Sequence, residues 1–320
     1  MILLQTSNGY LFARQIKISL LILFSIIICF RSTGALCQDM KTYFTVQHPD
    51  RFTINWTDFY NQNNKKTSEV RKNFPHILDL EYGVDIKQRL DLYFPINKET
   101  NLPIFLFLHG GGFREGDKAH YGSVAEPFIS AGVITAVASY RLTGSGSHYP
   151  DQSNDLKSAI KWLHRNISSY GGDPKNIYVG GHSAGAILSA DIGVNRSWLS
   201  DMGLPKNIVK GIVPISGPYD VRDRGRPGEI YTYAPTVELR TQASPILHIK
   251  DPVPKVLVAV GDQEKYVDSS VKFIEKLSAA KVDAQYLVLK DEDHADTALS
   301  LSDSQSELFK RVLAFIMESS

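Results

Sequence analysis

Two short motifs carry residues that could together hydrolyse an acyl bond. Gly181-His182-Ser183-Ala184-Gly185 fits the pattern G-x-S-x-G, which places a serine on a strained strand-to-helix turn with its hydroxyl exposed. His109-Gly110-Gly111-Gly112-Phe113 is a glycine-rich loop whose backbone N–H groups can face a developing oxyanion. Each motif follows an apolar run typical of a buried strand. Together they indicate serine hydrolase chemistry.

Acidic residues and a histidine follow two later apolar runs. Gly261-Asp262-Gln263-Glu264 comes after Val256–Val260, and Asp291-Glu292-Asp293-His294 comes after Ala284–Leu289. In open α/β sheets, ligands bind beyond the carboxyl ends of the strands. The chain order of serine, acid and histidine is that of an α/β-hydrolase. We therefore expect these groups to meet at one edge of a sheet.

The chemistry assigns a role to each group. A serine hydroxyl is a poor nucleophile until an imidazole takes its proton, so His294 is the predicted base for Ser183. A buried carboxylate must orient that imidazole, and Glu264 is the predicted acid. Asp262 remains the alternative acid if the loop turns earlier. The competing interpretations are that Ser183 only caps a helix and that His294 is a surface histidine.

The predicted oxyanion hole consists of backbone N–H groups. Its donors are Gly111, Gly112 and Ala184, since glycine lets the backbone approach a substrate without a side-chain clash. His109 and His182 lie inside the motifs and are expected to pack locally. No cofactor or metal is expected. The only cysteines, Cys29 and Cys37, lie in or beside an N-terminal targeting segment, which excludes a cysteine nucleophile.

The predicted fold class is α/β, with a mostly parallel central sheet and helices on both faces. Continuous apolar runs suit strands that are covered on both faces, and helical periods separate them. Two earlier segments alternate in polarity, which predicts antiparallel edge strands with one wet face. The predicted strands are Ile77–Tyr82, Leu90–Phe94, Ile104–Leu108, Val133–Ser139, Ile177–Gly180, Val209–Ile215, Val256–Val260 and Ala284–Leu289. The predicted helices are Asp155–Ile167, Ala184–Val194, Ser269–Ala280 and Leu299–Ile316, and Asp151 and Asp155 are expected to cap the first.

The predicted organisation has three parts. Residues 1–37 form a signal peptide or signal anchor, 38–75 an N-terminal arm with an exposed loop at Asn61–Lys66, and 76–320 the hydrolase domain. Within that domain, a segment at about 220–248 lacks clear periodicity. A long loop in a compact domain is usually functional, so we expect a small cap, with a surface excursion as the alternative.

The N-terminus predicts export. Ile18–Phe30 is a thirteen-residue run without charge behind Arg14 and Lys17. It suits a signal-peptide core, whereas a membrane span needs about 20 apolar residues. Cleavage is expected near Ala35-Leu36-Cys37 or Gly34, and an uncleaved anchor is the alternative. Sequons at Asn55, Asn166 and Asn195 fit a secreted glycoprotein, although such triplets also arise by chance.

The overall composition limits the classes of binding partner that the sequence favours. The chain has 320 residues, 43% of them hydrophobic, and a formal net charge of +1, so nothing favours nucleic acid binding. The expected partner is a small-molecule ester or amide. Membrane association is expected only through the N-terminal apolar segment.

Beyond this pattern, the sequence resembles the HGGG-bearing esterase and lipase branch of the α/β-hydrolase superfamily from about Leu90 to the C-terminus. Two stretches are similar to the kynurenine formamidase and isoprenylcysteine methylesterase subgroup: Leu90-Asp91-Leu92-Tyr93-Phe94-Pro95 and Ser216-Gly217-Pro218-Tyr219-Asp220. Formamidases usually have a tryptophan where Phe113 stands and are normally cytosolic. The methylesterases carry several membrane spans. These departures favour a general carboxylesterase.

Three functional hypotheses follow. The first is a secreted carboxylesterase that forms an acyl-enzyme. The second is an N-formylkynurenine formamidase with the same triad, because one site can hydrolyse both esters and amides. The third is a noncatalytic binding module on a hydrolase scaffold, which would typically have lost the serine or the histidine.

Overall fold

The computed structural model describes residues 56–97, 99–222, 232–249 and 252–318. The elements below belong to a compact unit that spans residues 57–320, and the first helix begins one residue before it. The predicted signal segment and the arm up to residue 55 lie outside the described residues. Within the described ranges, no helix has both the length and the apolarity that a membrane crossing requires.

Eight strands form one sheet in the order β1-β2-β4-β3-β5-β6-β7-β8. The first two strands pair antiparallel, as do β2 and β4, while all pairings among β3 to β8 are parallel. This confirms the mostly parallel sheet predicted from the apolar runs. The strands are β1 (His76–Glu81), β2 (Arg89–Tyr93), β3 (Leu102–Leu108), β4 (Ile134–Ala138), β5 (Gly172–His182), β6 (Val209–Ile215), β7 (Lys255–Gly261) and β8 (Ala284–Leu289).

Nine α-helices lie wholly within the described part of the chain. The predicted helix after the serine matches the observed α4 at both ends. The helices are α1 (Trp56–Asn73), α2 (Ala125–Ser130), α3 (Asp151–Asn166), α4 (Ala184–Val194), α5 (Ser197–Asp201), α6 (Val237–Gln242), α7 (Val267–Ala279), α8 (Asp296–Ser300) and α9 (Glu307–Met317).

Two helix predictions need correction. The single helix predicted at Leu299–Ile316 is two helices, because the hydroxyl of Ser306 accepts the Phe309 N–H at 3.0 Å and starts α9 afresh. Neither Asp151 nor Asp155 caps α3, whose N-cap residue is Pro150 and which has no side-chain capping hydrogen bond. That helix starts four residues before Asp155, and the buried Asp155 carboxylate instead binds the Arg141 guanidinium at 2.6 Å.

The exposed loop predicted at Asn61–Lys66 is wrong, since these residues lie inside α1. The buried face of α1 is half polar, which hides its periodicity from a hydrophobicity pattern. Its polar members bind the loop before α2: the hydroxyl of Thr67 accepts the Ser123 N–H at 3.0 Å, and the Ser123 hydroxyl donates to Asn63 Oδ1 at 3.1 Å. The buried residues of α1 are Phe59, Asn63, Thr67 and Val70.

The antiparallel strands also differ from expectation. β1 is an edge strand, as predicted, but it has exposed side chains on both faces, whereas β2 lies between β1 and β4 and has no wet face. Its Asp91 is fully buried. The carboxylate is held by Lys118 Nζ at 2.7 Å and by Arg71, from α1, at 3.2 Å. A buried charge pair therefore ties α1 and the loop before α2 to the sheet.

The second half of the predicted cap segment, residues 232–249, contains α6 and a 3-10 turn at Pro245–Leu247. Tyr233 and Ala234 are completely buried. Residues 223–231 lie outside the described part of the chain.

We expect Lys118→Met to lower the free energy of unfolding by about 1.5–3 kcal/mol, because it removes one of the two cations bound to the buried Asp91 carboxylate while Arg71 remains. Lys87→Met is the matched control. Lys87 pairs with Asp117 at 2.8 Å, with both side chains 32% exposed, so its loss should cost at most about 1 kcal/mol. Urea unfolding of both variants measures the difference. Equal losses would contradict a stabilising role for the buried pair.

Candidate active site

Ser183 occupies a strained turn between β5 and α4. Its backbone has φ 57° and ψ −112°, and its N–H donates to the Ile215 carbonyl at 2.9 Å. The side chain makes no capping hydrogen bond to α4. The interpretation of Ser183 as a mere helix cap therefore has no support in the structure. The hydroxyl is held clear of the helix, as a nucleophile requires.

The flanking glycines make this turn sterically feasible. A Cβ on Gly181 would lie 2.3 Å from the Gly185 carbonyl oxygen, and one on Gly185 would lie 2.3 Å from the Leu108 carbonyl oxygen. Real Cβ contacts are not this short. The start of α4 therefore touches both the end of its own strand and the end of β3, which leads into the glycine-rich loop.

The structure joins Ser183, His294 and Glu264 by hydrogen bonds. His294 Nε2 lies 3.0 Å from Ser183 Oγ, and His294 Nδ1 lies 2.6 Å from Glu264 Oε2. Glu264 follows β7, and His294 follows β8, as the strand-end argument expects. Their side chains are 2% and 16% exposed, so His294 is not a surface histidine. Asp262, the alternative acid, is not brought to His294; its exposed carboxylate accepts the Gln263 amide at 3.0 Å.

Sequence reasoning missed two hydroxyl residues that support the acid. Glu264 Oε1 accepts the Gly261 N–H at 3.0 Å and the Ser216 hydroxyl, which lies 2.9 Å from the Thr297 hydroxyl. Ser216 directly follows β6, so its position at a strand end was the signal available. These bonds fix the second carboxylate oxygen while the first faces His294.

Two other histidines are structural. Burial lowers the pKa of His182 well below its usual value, and its Nε2 bonds the His294 carbonyl at 2.8 Å, which steadies the backbone of the candidate base. His109 stacks on Tyr140, with 4.3 Å between ring centroids. A third histidine, His148, lies with its Nδ1 2.6 Å from the Thr232 carbonyl. None of these rings bonds Ser183.

The glycine-rich loop lies against the serine. A Cβ on Gly110 would be 3.2 Å from Ser183 Cβ. Gly111 and Gly112 have φ of 110° and 58°, which favour glycine. Among the described residues, no acceptor is bonded to the N–H groups of Gly111, Gly112 or Ala184. Ala184 opens α4, where helix N–H groups have no acceptor within the helix.

Such an arrangement can perform acyl transfer. The imidazole can take the proton of the hydroxyl, the carboxylate can stabilise the resulting imidazolium, and unpaired N–H groups can bind an oxyanion. Within the described residues, no group of three or more His, Cys, Asp or Glu side chains is placed to hold a metal ion.

The sequence is similar to a family model and to curated proteins. The BD-FAE family model matches residues 90–277. The isoprenylcysteine alpha-carbonyl methylesterase of Arabidopsis thaliana is 27% identical over 265 residues, covering 73% of this chain and 60% of that protein. The kynurenine formamidase of Danio rerio is 24% identical over 263 residues, covering 79% and 86%. The chain thus spans about three fifths of the methylesterase's length.

A solved structure shares the fold. The esterase of Pyrobaculum calidifontis superposes with a TM-score of 0.64 at 20% identity, covering 83% of this chain and 94% of that one. The predicted α/β-hydrolase fold is confirmed.

Gly185→Ala should destabilise the protein by about 1–3 kcal/mol or more, because the added methyl meets the backbone of Leu108. Gly144→Ala is the matched control, since its Cβ would meet nothing within 4 Å. A surface change of that kind usually stays within about 0.5 kcal/mol. Thermal and urea unfolding measure both variants, and equal stabilities would contradict the close contact.

Because His109 is buried, we expect the protein to lose stability in mild acid. Burial lowers the pKa of His109 to about 4, outweighing the hydrogen bond to the Gly110 carbonyl, whereas an unfolded histidine titrates near 6.5. Between these values the unfolded chain binds the extra proton, so the free energy of unfolding falls as pH drops, by on the order of 3 kcal/mol over the whole interval and by about 2 kcal/mol between pH 7 and 5. Urea unfolding from about pH 7 to 5 and NMR titration of the ring measure this. A native His109 titrating near 6.5 would contradict it.

Proposed function

The chain belongs to the BD-FAE family, and we propose on that premise that it hydrolyses carboxylic esters through a serine acyl-enzyme. The observation that carries the proposal is the continuous hydrogen-bonded series from Ser183 through His294 to Glu264. The esterase names of its relatives support the same chemistry.

The proposed reaction has two halves. His294 Nε2 takes the Ser183 proton as Oγ attacks the acyl carbon, and the oxyanion is bound by the N–H groups of Gly111, Gly112 and Ala184. The C–O bond to the alcohol then breaks, and His294 returns the proton to the leaving oxygen. Water, activated by His294, attacks the acyl-enzyme and releases the carboxylic acid and free Ser183. Glu264 stays ionised and orients the ring throughout.

N-formylkynurenine formamidase activity is the second candidate, favoured by the similarity to the Danio rerio kynurenine formamidase across most of both chains. The same nucleophile and oxyanion site would break a formamide C–N bond, with His294 protonating the amine. A panel of acyl p-nitrophenyl esters beside N-formylkynurenine separates the two. A higher kcat/KM for N-formylkynurenine would assign the enzyme to formamide hydrolysis.

We further propose that the protein enters the secretory pathway, because Ile18–Phe30 has the length and basic flank of a signal-peptide core. An uncleaved segment would anchor it to a membrane instead. N-terminal sequencing of the protein expressed in a secreting eukaryotic host distinguishes cleavage from anchoring. Treatment with an N-glycosidase tests the sequons.

Glu264→Gln should lower kcat for p-nitrophenyl acetate by 10²- to 10⁴-fold, because an amide cannot stabilise the imidazolium or hold its tautomer. Asp262→Asn is the matched control, since its carboxylate is exposed and bonds Gln263, and it should retain wild-type kcat. Ser183→Ala sets the background and should lose labelling by a fluorophosphonate probe.

Two results would overturn this assignment. If Ser183→Ala turned over substrate at the wild-type rate, an acyl-enzyme on Ser183 would be ruled out. If the unmutated protein neither reacted with the fluorophosphonate probe nor turned over any ester or formamide, a noncatalytic module would be favoured. A loss confined to Asp262→Asn would transfer the acid role to Asp262.

A further inference from the structure

Phe113 ends the glycine-rich loop in a backbone conformation that an L-residue rarely adopts. Its φ is 65°, directly after Gly112 at 58°. The Phe113 carbonyl accepts the Thr143 N–H at 2.8 Å, and the Gly111 carbonyl accepts the Arg114 N–H at 3.0 Å. A non-glycine residue in this region is strained and persists only when its surroundings hold it. Something must therefore hold Phe113.

The ring of Tyr233 is the group that covers it. The two rings are stacked face to face, with 3.6 Å between centroids and 5° between planes. Phe113 is 1% exposed and Tyr233 is fully buried. Tyr233 comes from the segment after β6, 120 residues along the chain, and not from the loop itself. Its own carbonyl accepts the Tyr149 N–H at 2.7 Å, and the Tyr149 ring packs edge-on against it at 5.7 Å.

The Tyr233 hydroxyl contributes little to this arrangement. It is buried near Ser153, whose own hydroxyl is engaged with the Asp191 carboxylate at 2.7 Å. Among the described residues, the Tyr233 oxygen has no hydrogen bond of good geometry, because the Ser153 hydroxyl beside it donates to Asp191. A buried hydroxyl without a partner destabilises a fold, so a phenylalanine here should keep the stack and remove that penalty. Ring and hydroxyl can thus be tested separately.

We propose that Tyr233 is a positioning residue that holds the oxyanion loop through the stack on Phe113. The inference rests on the proposed function, in which the adjacent Gly112 N–H binds the oxyanion. Loss of the ring would leave a cavity beside Phe113, free its backbone to relax out of the left-handed region and move the Gly112 N–H. A donor that acts on the transition state influences kcat more than substrate binding.

The first test compares three variants. Tyr233→Leu should lose 10- to 100-fold in kcat for p-nitrophenyl acetate with KM changed less than threefold, since a displacement of about 1 Å in an active site can reduce rates 10²-fold. Tyr233→Phe should restore wild-type kcat and match or exceed wild-type stability. Tyr178→Leu is the control for losing a buried aromatic ring. Tyr178 lies in β5 against Phe315, so its loss should lower stability and leave kcat within twofold of wild type.

The second test needs no turnover. Amide hydrogen exchange followed by mass spectrometry should show faster exchange at Arg114, Glu115 and Thr143 in Tyr233→Leu, because their N–H groups bond within or onto this loop. In Tyr178→Leu, exchange at these three amides should stay as slow as in the wild-type protein. Faster exchange together with the kcat loss supports the proposal. Unchanged exchange, a Tyr233→Leu enzyme with wild-type kcat, or a Tyr233→Phe enzyme as impaired as Tyr233→Leu overturns it.

The two proposals fail in different ways. A wild-type protein without turnover or fluorophosphonate labelling refutes the hydrolase assignment, while the exchange data still report whether Tyr233 holds the loop. Normal turnover by the wild-type enzyme, together with unchanged kcat and unchanged exchange in Tyr233→Leu, refutes only the positioning role.

Discussion

The contact between Gly185 and the carbonyl oxygen of Leu108 sets the geometry on which the candidate site depends. Only a residue without Cβ lets the first turn of α4 touch the end of β3, because a methyl group would lie 2.3 Å from that oxygen. This contact brings two separate strand ends together. The serine turn leaves β5 and the glycine-rich loop leaves β3, so Gly110 comes to rest against Ser183. The candidate nucleophile and the proposed oxyanion donors are therefore neighbours.

Aromatic rings then support the loop from two sides. On one side His109 stacks between Tyr140 and Tyr121, with Phe59 of α1 packing against Tyr121 at 6.1 Å. On the other side Tyr233 covers Phe113. Helix α1 is itself held by the buried Asp91 pair. Residues far from the serine in sequence therefore bear on the loop, through packing rather than through contact with substrate.

The sequence predicted what local signals and strand ends determine. The parallel strands, α4 and the positions of Ser183, Glu264 and His294 follow from apolar runs and from chemistry placed directly after them. Prediction from the sequence failed where contacts with a distant segment determine the local structure. The polar residues on the buried face of α1 indicate a loop by pattern alone, because their hydrogen bonds to Ser123 are formed only in the folded chain. Tyr233 sits in a stretch without periodicity, and nothing local indicates that its ring meets Phe113.

Backbone strain at the candidate site is also held by contacts between distant segments. Ser183, Ser216 and Phe113 all have φ between 56° and 65°, and each such residue costs on the order of 1–3 kcal/mol. Each is held by a backbone bond to another segment: the Ser183 N–H to Ile215, the Ser216 N–H to Ala259, and the Phe113 carbonyl to Thr143. The strained residues are thus anchored by the rigid sheet or by its adjoining loop. A site fixed before substrate arrives needs little reorganisation, and this is what stabilising a short-lived oxyanion demands.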